Sequence, residues 1–121
     1  MNPVGWFEIP VTNMERAKTF YEAVFGFEMC AANVNGYDMA FFPMQSGLPG
    51  AAGTLIAGHP YAPSKTGTIV YFATTDIEGT LAKVERSGGK TILQKKSIGE
   101  HGFIGWLEDC EGNTIALHSR T

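Results

Sequence analysis

An internal repeat with an offset of 63 residues is the feature that most constrains how this chain can fold. Residues 12–15 read TNME and residues 75–78 read TDIE, and in both the threonine precedes a glutamate by three positions, as in a helix capping box. Glycine-containing stops and turns recur at the same offset: Gly26 and Gly89, then Asn35-Gly36 and Ile98-Gly99. Three kinds of signal at one offset predict two copies of one structural unit.

Each copy has one amphipathic helix, with one strand before it and three strands after it. Before the first helix, Phe7, Ile9 and Val11 alternate with three residues that point the other way, Trp6, Glu8 and Pro10. The later strands are predicted at 27–33, 37–43, 52–58, 90–97, 102–108 and 113–119. The prediction is therefore an α+β fold of two β-α-β-β-β modules within a single domain, residues 1–121. Module one covers about 1–58, the linker about 59–66, and module two about 67–121.

Composition and charge exclude several classes of function. With 44% hydrophobic and 17% charged residues, the chain of 121 residues is typical of one globular domain. The formal net charge is −3 and no basic cluster is present, which argues against a nucleic-acid partner. No apolar run approaches the ~20 residues that cross a bilayer, and the first residues do not resemble a signal peptide. We therefore expect a cytoplasmic protein in which Cys30 and Cys110 are free thiols.

Four local sequences resemble those of one known superfamily: residues 20–27 (FYEAVFGF), 71–77 (YFATTDI), 87–90 (SGGK) and 109–115 (DCEGNTI). Together they are similar to the motifs of the vicinal oxygen chelate superfamily of glyoxalases, bleomycin resistance proteins and extradiol dioxygenases. Cys110 departs from the pattern, because the superfamily has a proline there. The resemblance implies two modules whose sheets curl around a shared cleft, and a homodimer. It implies no particular reaction, since isomerases, lyases, dioxygenases, epimerases and drug-sequestering proteins share this fold.

The resemblance also implies a divalent metal, held in the cleft by His, Gln or Glu side chains from four strands. The corresponding positions in this sequence are Trp6, Gly53, Ile69 and Ala116, and none of these side chains is a metal ligand. A shift of one residue does not restore a set of ligands. We therefore predict neither a metal nor another cofactor, which argues against a standard metal-dependent lyase or dioxygenase.

The same positions are candidates for contact with a small molecule. Aromatic and apolar side chains suit a flat or apolar ligand, so Trp6, Ile69 and Ala116 are predicted to bind the substrate, together with Tyr71, which lies two positions after Ile69. Glu8 and His118 lie two positions further along their strands and are the predicted catalytic pair for proton transfer. Two other roles are open for Glu8. It could form a hydrogen bond that only stabilises the structure, or it could bind a displaced metal ion together with His118 and with His59 or His101. An exposed or merely capping role is the alternative for His118.

The function predicted from the sequence is the binding of a small organic molecule in an aromatic cleft, without the standard metal site. Two alternatives stay open. One is a metal-dependent lyase or isomerase of the glyoxalase type with relocated ligands. The other is a non-catalytic dimerisation module, in which a side chain such as Trp6 fills the cleft.

Overall fold

The computed structural model describes residues 2–121 and contains two β-α-β-β-β modules. Module one consists of β1 (Phe7–Pro10), α1 (Met14–Phe25), β2 (Cys30–Val34), β3 (Tyr37–Phe41) and β4 (Gly53–Ala57). Module two consists of β5 (Tyr71–Ala73), α2 (Ile77–Arg86), β6 (Lys90–Ser97), a 3-10 turn (Gly99–His101), β7 (Phe103–Glu108) and β8 (Thr114–Ser119). The α+β fold and the repeat are confirmed.

Each module forms a four-stranded mixed sheet, in the orders β1-β4-β3-β2 and β5-β8-β7-β6. The first strand runs parallel to the last strand of its module, and the other pairs are antiparallel. The fold thus has one sheet in each module, and a groove lies between β1 and the segment that precedes β5.

The helix starts correct the predicted capping boxes by one residue. Asn13 caps α1 by accepting a 3.0 Å hydrogen bond from Arg16 N, and Asp76 caps α2 in the same way from Gly79 N. The prediction that Thr12 and Thr75 cap the helices is therefore wrong. The Thr12 hydroxyl instead donates to Glu111, which lies in the turn between β7 and β8.

The two helix ends differ. Gly26 has the left-handed conformation predicted for a stop glycine, with φ of 75°. In module two Gly88 takes this conformation, with φ of 101°, and Gly89 N donates to Val84 O. The prediction of Gly89 as the stop residue is therefore wrong by one position.

One hydrophobic core joins the modules. Ile9, Leu55 and Leu117 project from the two sheets into this core, where the buried faces of α1 and α2 also lie. Phe72 of β5 stacks on Phe25 of α1, with 4.6 Å between the ring centroids. Both sheets therefore bury one face under the helices. No helix within residues 2–121 has the length and hydropathy needed to cross a membrane.

Candidate ligand-binding site

The helix-free face of each sheet, opposite the core, carries the side chains that the sequence predicts as functional. In module one, β1 and β3 flank β4, so Glu8, Thr54 and Phe41 form one row across the sheet. Trp6 lies on the same face, because its ring centroid is 6.1 Å from that of Phe41. The Trp6 side chain is about half exposed, at 45%. This face therefore combines a carboxylate, a hydroxyl and two aromatic rings.

Thr54 is the unusual member of this row. The residue is completely buried, and among residues 2–121 its Oγ1 is the one buried side-chain nitrogen or oxygen atom without a hydrogen-bond partner. Buried polar atoms are nearly always satisfied, since an unpaired one costs about 1–3 kcal/mol. The orphan hydroxyl lies between Glu8 and Phe41 in the row across the sheet.

Two further aromatic residues, Tyr61 and Tyr37, pack together at the connection between the modules. Tyr61, in the connection between the modules, packs edge-on against Tyr37 with 5.5 Å between the centroids. A hydrogen bond to the Glu8 carboxylate raises the pKa of the Tyr61 phenol. The Tyr37 hydroxyl donates to the carbonyl oxygen of His59, which holds the connection against the sheet. Tyr61 could not be identified from the sequence, because Glu8 and Tyr61 are far apart in the chain.

Glu8 also borders a groove of about 200 Å³ between β1 and the segment that precedes β5. Glu8 is the one ionisable residue in its lining, and the other polar lining residues are hydroxyl and amide side chains: Ser64, Thr66, Thr68, Asn113 and Thr114. The groove therefore offers one full negative charge among neutral polar groups.

Module two has an aromatic pair at the equivalent place. Tyr71, Ala116 and Trp106 form a row across β5, β8 and β7. Trp106 Nε1 donates a 3.0 Å hydrogen bond to the Tyr71 hydroxyl, so the two side chains bridge the small Ala116, which is fully buried. Ile69 precedes this row and is partly buried. Trp106 could not be assigned from the sequence, because the face of β7 on which it lies depends on strand register.

His118 is the next residue along β8 on this face. Its Nε2 lies 2.6 Å from the carbonyl oxygen of His101 in the 3-10 turn. A carbonyl only accepts, so Nε2 carries the proton and a neutral ring keeps Nδ1 as the acceptor. Glu8 and His118 lie on different sheets and contact different neighbours, so the structure does not show the direct pairing that we expected across one cleft.

The register of β4 corrects one other position. Gly53 pairs with Phe7 and lies on the core side of the strand, as does Leu55, which is buried in the core. Thr54 pairs with Glu8 as Ala116 pairs with Tyr71, so Thr54 is the structural counterpart of Ala116. The offset is 62 residues here, because the connections around the last strand differ in length between the modules.

Comparison with known proteins identifies the family. The model of the Glyoxalase/Bleomycin resistance protein/Dioxygenase superfamily matches residues 4–117. The chain belongs to this superfamily. A glyoxylase-like domain-containing protein of Didymella fabae is 30% identical over 120 residues, which cover 97% of this chain and 93% of the relative. A putative glyoxylase of Mycobacterium bovis, CFP32, is 29% identical, and the match spans only 44% of its length.

Solved structures of the superfamily have the same fold. A glyoxalase/bleomycin resistance protein of Albidiferax ferrireducens superposes with a TM-score of 0.73 at 21% identity, over 98% of this chain and all of that one. Glyoxalase I of Zea mays superposes with a TM-score of 0.69 at 20% identity, over 98% of this chain but 46% of the plant enzyme. The chain thus spans about half the length of that enzyme, and the likeness concerns the fold alone.

The side chains of this superfamily member do not fit the superfamily's metal. With the corrected register, the four ligand positions hold Trp6, Thr54, Ile69 and Ala116. Only the threonine carries an oxygen atom, whereas divalent metals require several His, Cys or carboxylate ligands. Nowhere in the described chain, residues 2–121, do three or more His, Cys, Asp or Glu side chains form a group that could hold a metal ion.

Proposed function

We propose that this protein binds a small organic molecule on the helix-free face of module one, independently of a metal ion. The observation that carries the proposal is the orphan hydroxyl of Thr54, which lies between Glu8 and Phe41. A ligand group that hydrogen-bonds to Thr54 Oγ1 removes the cost of this unpaired atom, and Trp6 and Phe41 supply apolar contact.

Proton transfer is the chemistry that these residues support if the bound molecule is also converted. The Glu8 carboxylate can accept a proton from a ligand held against Thr54, and Nδ1 of His118 is a second acceptor. Tyr71, Ile69 and Ala116 belong with Trp106 to the face of module two, and we assign them to ligand contact. The proposal covers sequestration of the ligand as well as acid–base conversion by Glu8.

A substitution of Thr54 separates ligand binding from folding. Thr54→Val has nearly the same shape but lacks the hydroxyl, so it should leave the melting temperature unchanged or higher, because it removes an unpaired polar atom. Fragments that hydrogen-bond to the Thr54 hydroxyl should bind the variant about tenfold more weakly. The measurement is a fragment screen by amide NMR shifts, with shifts expected around Trp6, Glu8 and Phe41.

Two results would overturn the proposal. A screen in which no fragment shifts these residues removes the ligand site and leaves a dimerisation module. Metal analysis that finds about one ion per chain, with a melting temperature several degrees higher in nickel, zinc, manganese or iron(II), demonstrates a metal site. In that case relocated ligands would support a lyase or isomerase, and Glu8 and His118 would be the first residues to substitute.

Assembly and location form the last part of the proposal. We assign the protein to the cytoplasm as a homodimer, on the basis of the family resemblance and two partly exposed aromatic residues. These are Trp6 and Tyr71, at 45% and 44% exposure on the helix-free faces. Light scattering coupled to size-exclusion chromatography tests the dimer, and a monomeric mass at micromolar concentration would refute it.

A further inference from the structure

The charge around Glu8 is not balanced by any basic side chain. Across residues 2–121, the ion pairs of the protein join other residues, and Glu8 is in none of them. Lys65 of the linker and Lys90 of β6 interact with Glu108 instead. An unpaired carboxylate at a groove thus has the opposite charge to an incoming cation and repels an anion.

From this arrangement we propose that the Glu8 groove selects organic cations that carry a protonated amine. The inference rests on the proposed function and names its ligand class. An ammonium group has three hydrogen-bond donors and no acceptor. The complementary acceptor in the groove is the Glu8 carboxylate, and the groove lining also contains the hydroxyl side chains of Ser64, Thr66 and Thr68.

The aromatic residues on this face also favour a positively charged ligand. Trp6 lies on the same helix-free face as Glu8, with its ring beside that of Phe41, and interaction with the Glu8 carboxylate raises the pKa of the Tyr61 phenol. Aromatic faces attract ammonium groups within about 6 Å of the ring centroid. Carboxylate and phosphate ligands find no positive partner here, since the lining of the groove contains no Lys, Arg or His.

The size of the groove limits which part of the ligand it takes. A volume of about 200 Å³ is smaller than a pocket for a drug-sized molecule, which occupies about 300–1,000 Å³. The groove therefore accommodates the amine end of the ligand, and the remaining apolar part lies on Trp6 and Phe41.

Three probes of similar shape and different charge test the inference: phenethylammonium, 2-phenylethanol and 3-phenylpropionate. Dissociation constants are measured by amide NMR titration of the full chain. Phenethylammonium should bind at least about tenfold more tightly than the other two, as expected for a charge-assisted contact. Glu8→Gln keeps the shape of the side chain and should remove this preference. Glu28→Gln makes the same change in net charge at an exposed position and should preserve it.

The outcomes separate this inference from the proposed function. Equal binding of the three probes, or a preference that survives in Glu8→Gln, overturns the assignment of organic cations and leaves the ligand site in place. If phenethylammonium does not bind while neutral fragments bind near Trp6, the assignment of organic cations is likewise overturned and the ligand site remains. If neither the probes nor the fragment library shift residues on this face, both proposals fail. Equal melting temperatures of Glu8→Gln and the unsubstituted protein show that a lost preference is not a folding defect.

Discussion

Tyr21 in α1 donates a 2.6 Å hydrogen bond to Asp109 Oδ2 in the turn between β7 and β8, and both side chains are buried. The bond joins the helix of module one to a turn of module two. Burial, reinforced by the Asp109 charge, raises the pKa of Tyr21 well above its ordinary value, so the phenol stays protonated and keeps donating. This contact is one of several that join the modules, together with the hydrogen bond from Asn113 Nδ2 to Pro10 O and the ion pair of Arg16 with Glu111.

Tyr21→Phe should lower the free energy of unfolding by about 1–3 kcal/mol, because it leaves Asp109 Oδ2 with one donor fewer in a buried position. Urea denaturation measures the loss. Tyr37→Phe is the matched control, since its hydroxyl bonds to an exposed carbonyl and its loss should cost less than about 0.5 kcal/mol. Equal losses in the two variants would contradict a structural role for the Tyr21–Asp109 bond.

Glu111→Gln should lower stability in a pH-dependent way. Burial acts to raise the pKa of Glu111, but hydrogen bonds from Thr12, Arg16 and Asn13 outweigh it and hold the pKa below the ordinary 4.5. A lowered folded-state pKa stabilises above the unfolded value, and the effect is lost as pH falls through the folded value. The free energy of unfolding of the variant should therefore be about 1–3 kcal/mol lower at pH 7, and this difference should become smaller below pH 4.5.

Denaturation of both proteins between pH 3 and pH 7, followed by fluorescence, gives this difference. Glu28→Gln is the control, because it makes the same change at an exposed position and should change stability by less than about 0.5 kcal/mol. A constant loss for Glu111→Gln across the whole range would show that the ionised carboxylate does not stabilise the start of α1.

The two cysteines should differ sharply in reactivity. Burial, followed by the charges of Asp109 and Glu111, raises the pKa of Cys110 to about 11, so little thiolate forms near neutral pH. Cys30 is exposed on β2. Iodoacetamide at neutral pH should therefore modify Cys30 in the folded protein and leave Cys110 intact, as peptide mass mapping will show. Both should react in urea; comparable rates in the folded protein would refute the prediction.

Gly53→Ala tests the corrected register of β4. A Cβ atom at Gly53 would overlap the backbone carbonyl oxygen of Phe7, so the strands must separate, and the loss of stability should exceed about 2 kcal/mol. Gly5→Ala is the control, because no heavy atom lies within 4 Å of its added Cβ, and it should change stability by less than about 0.5 kcal/mol. A neutral Gly53→Ala would place that residue on the open face.

Local signals predicted the elements well. The strand predicted at 90–97 coincides with β6, and the alternation around Ile9 places Glu8 opposite the core as expected. The capping residues were misplaced by one position, since a threonine and an asparagine stand side by side at the first helix and either can cap it. Only the tertiary structure shows that the Thr12 hydroxyl is hydrogen-bonded to Glu111, 99 residues away, and does not cap the helix.

The sequence by itself determined the repeat and the strand–helix order, and it predicts no metal-binding side chains at the expected positions. These depend on residue types and on neighbours a few positions apart. The tertiary structure decided which β4 residues lie opposite the core and that Tyr61 interacts with Glu8. It also decided that Trp106 bridges to Tyr71 and that Thr54 keeps an unpaired hydroxyl. The physical reason is register: a shift of one residue moves a side chain to the other face of the sheet. The lengths and packing of distant connections set that register.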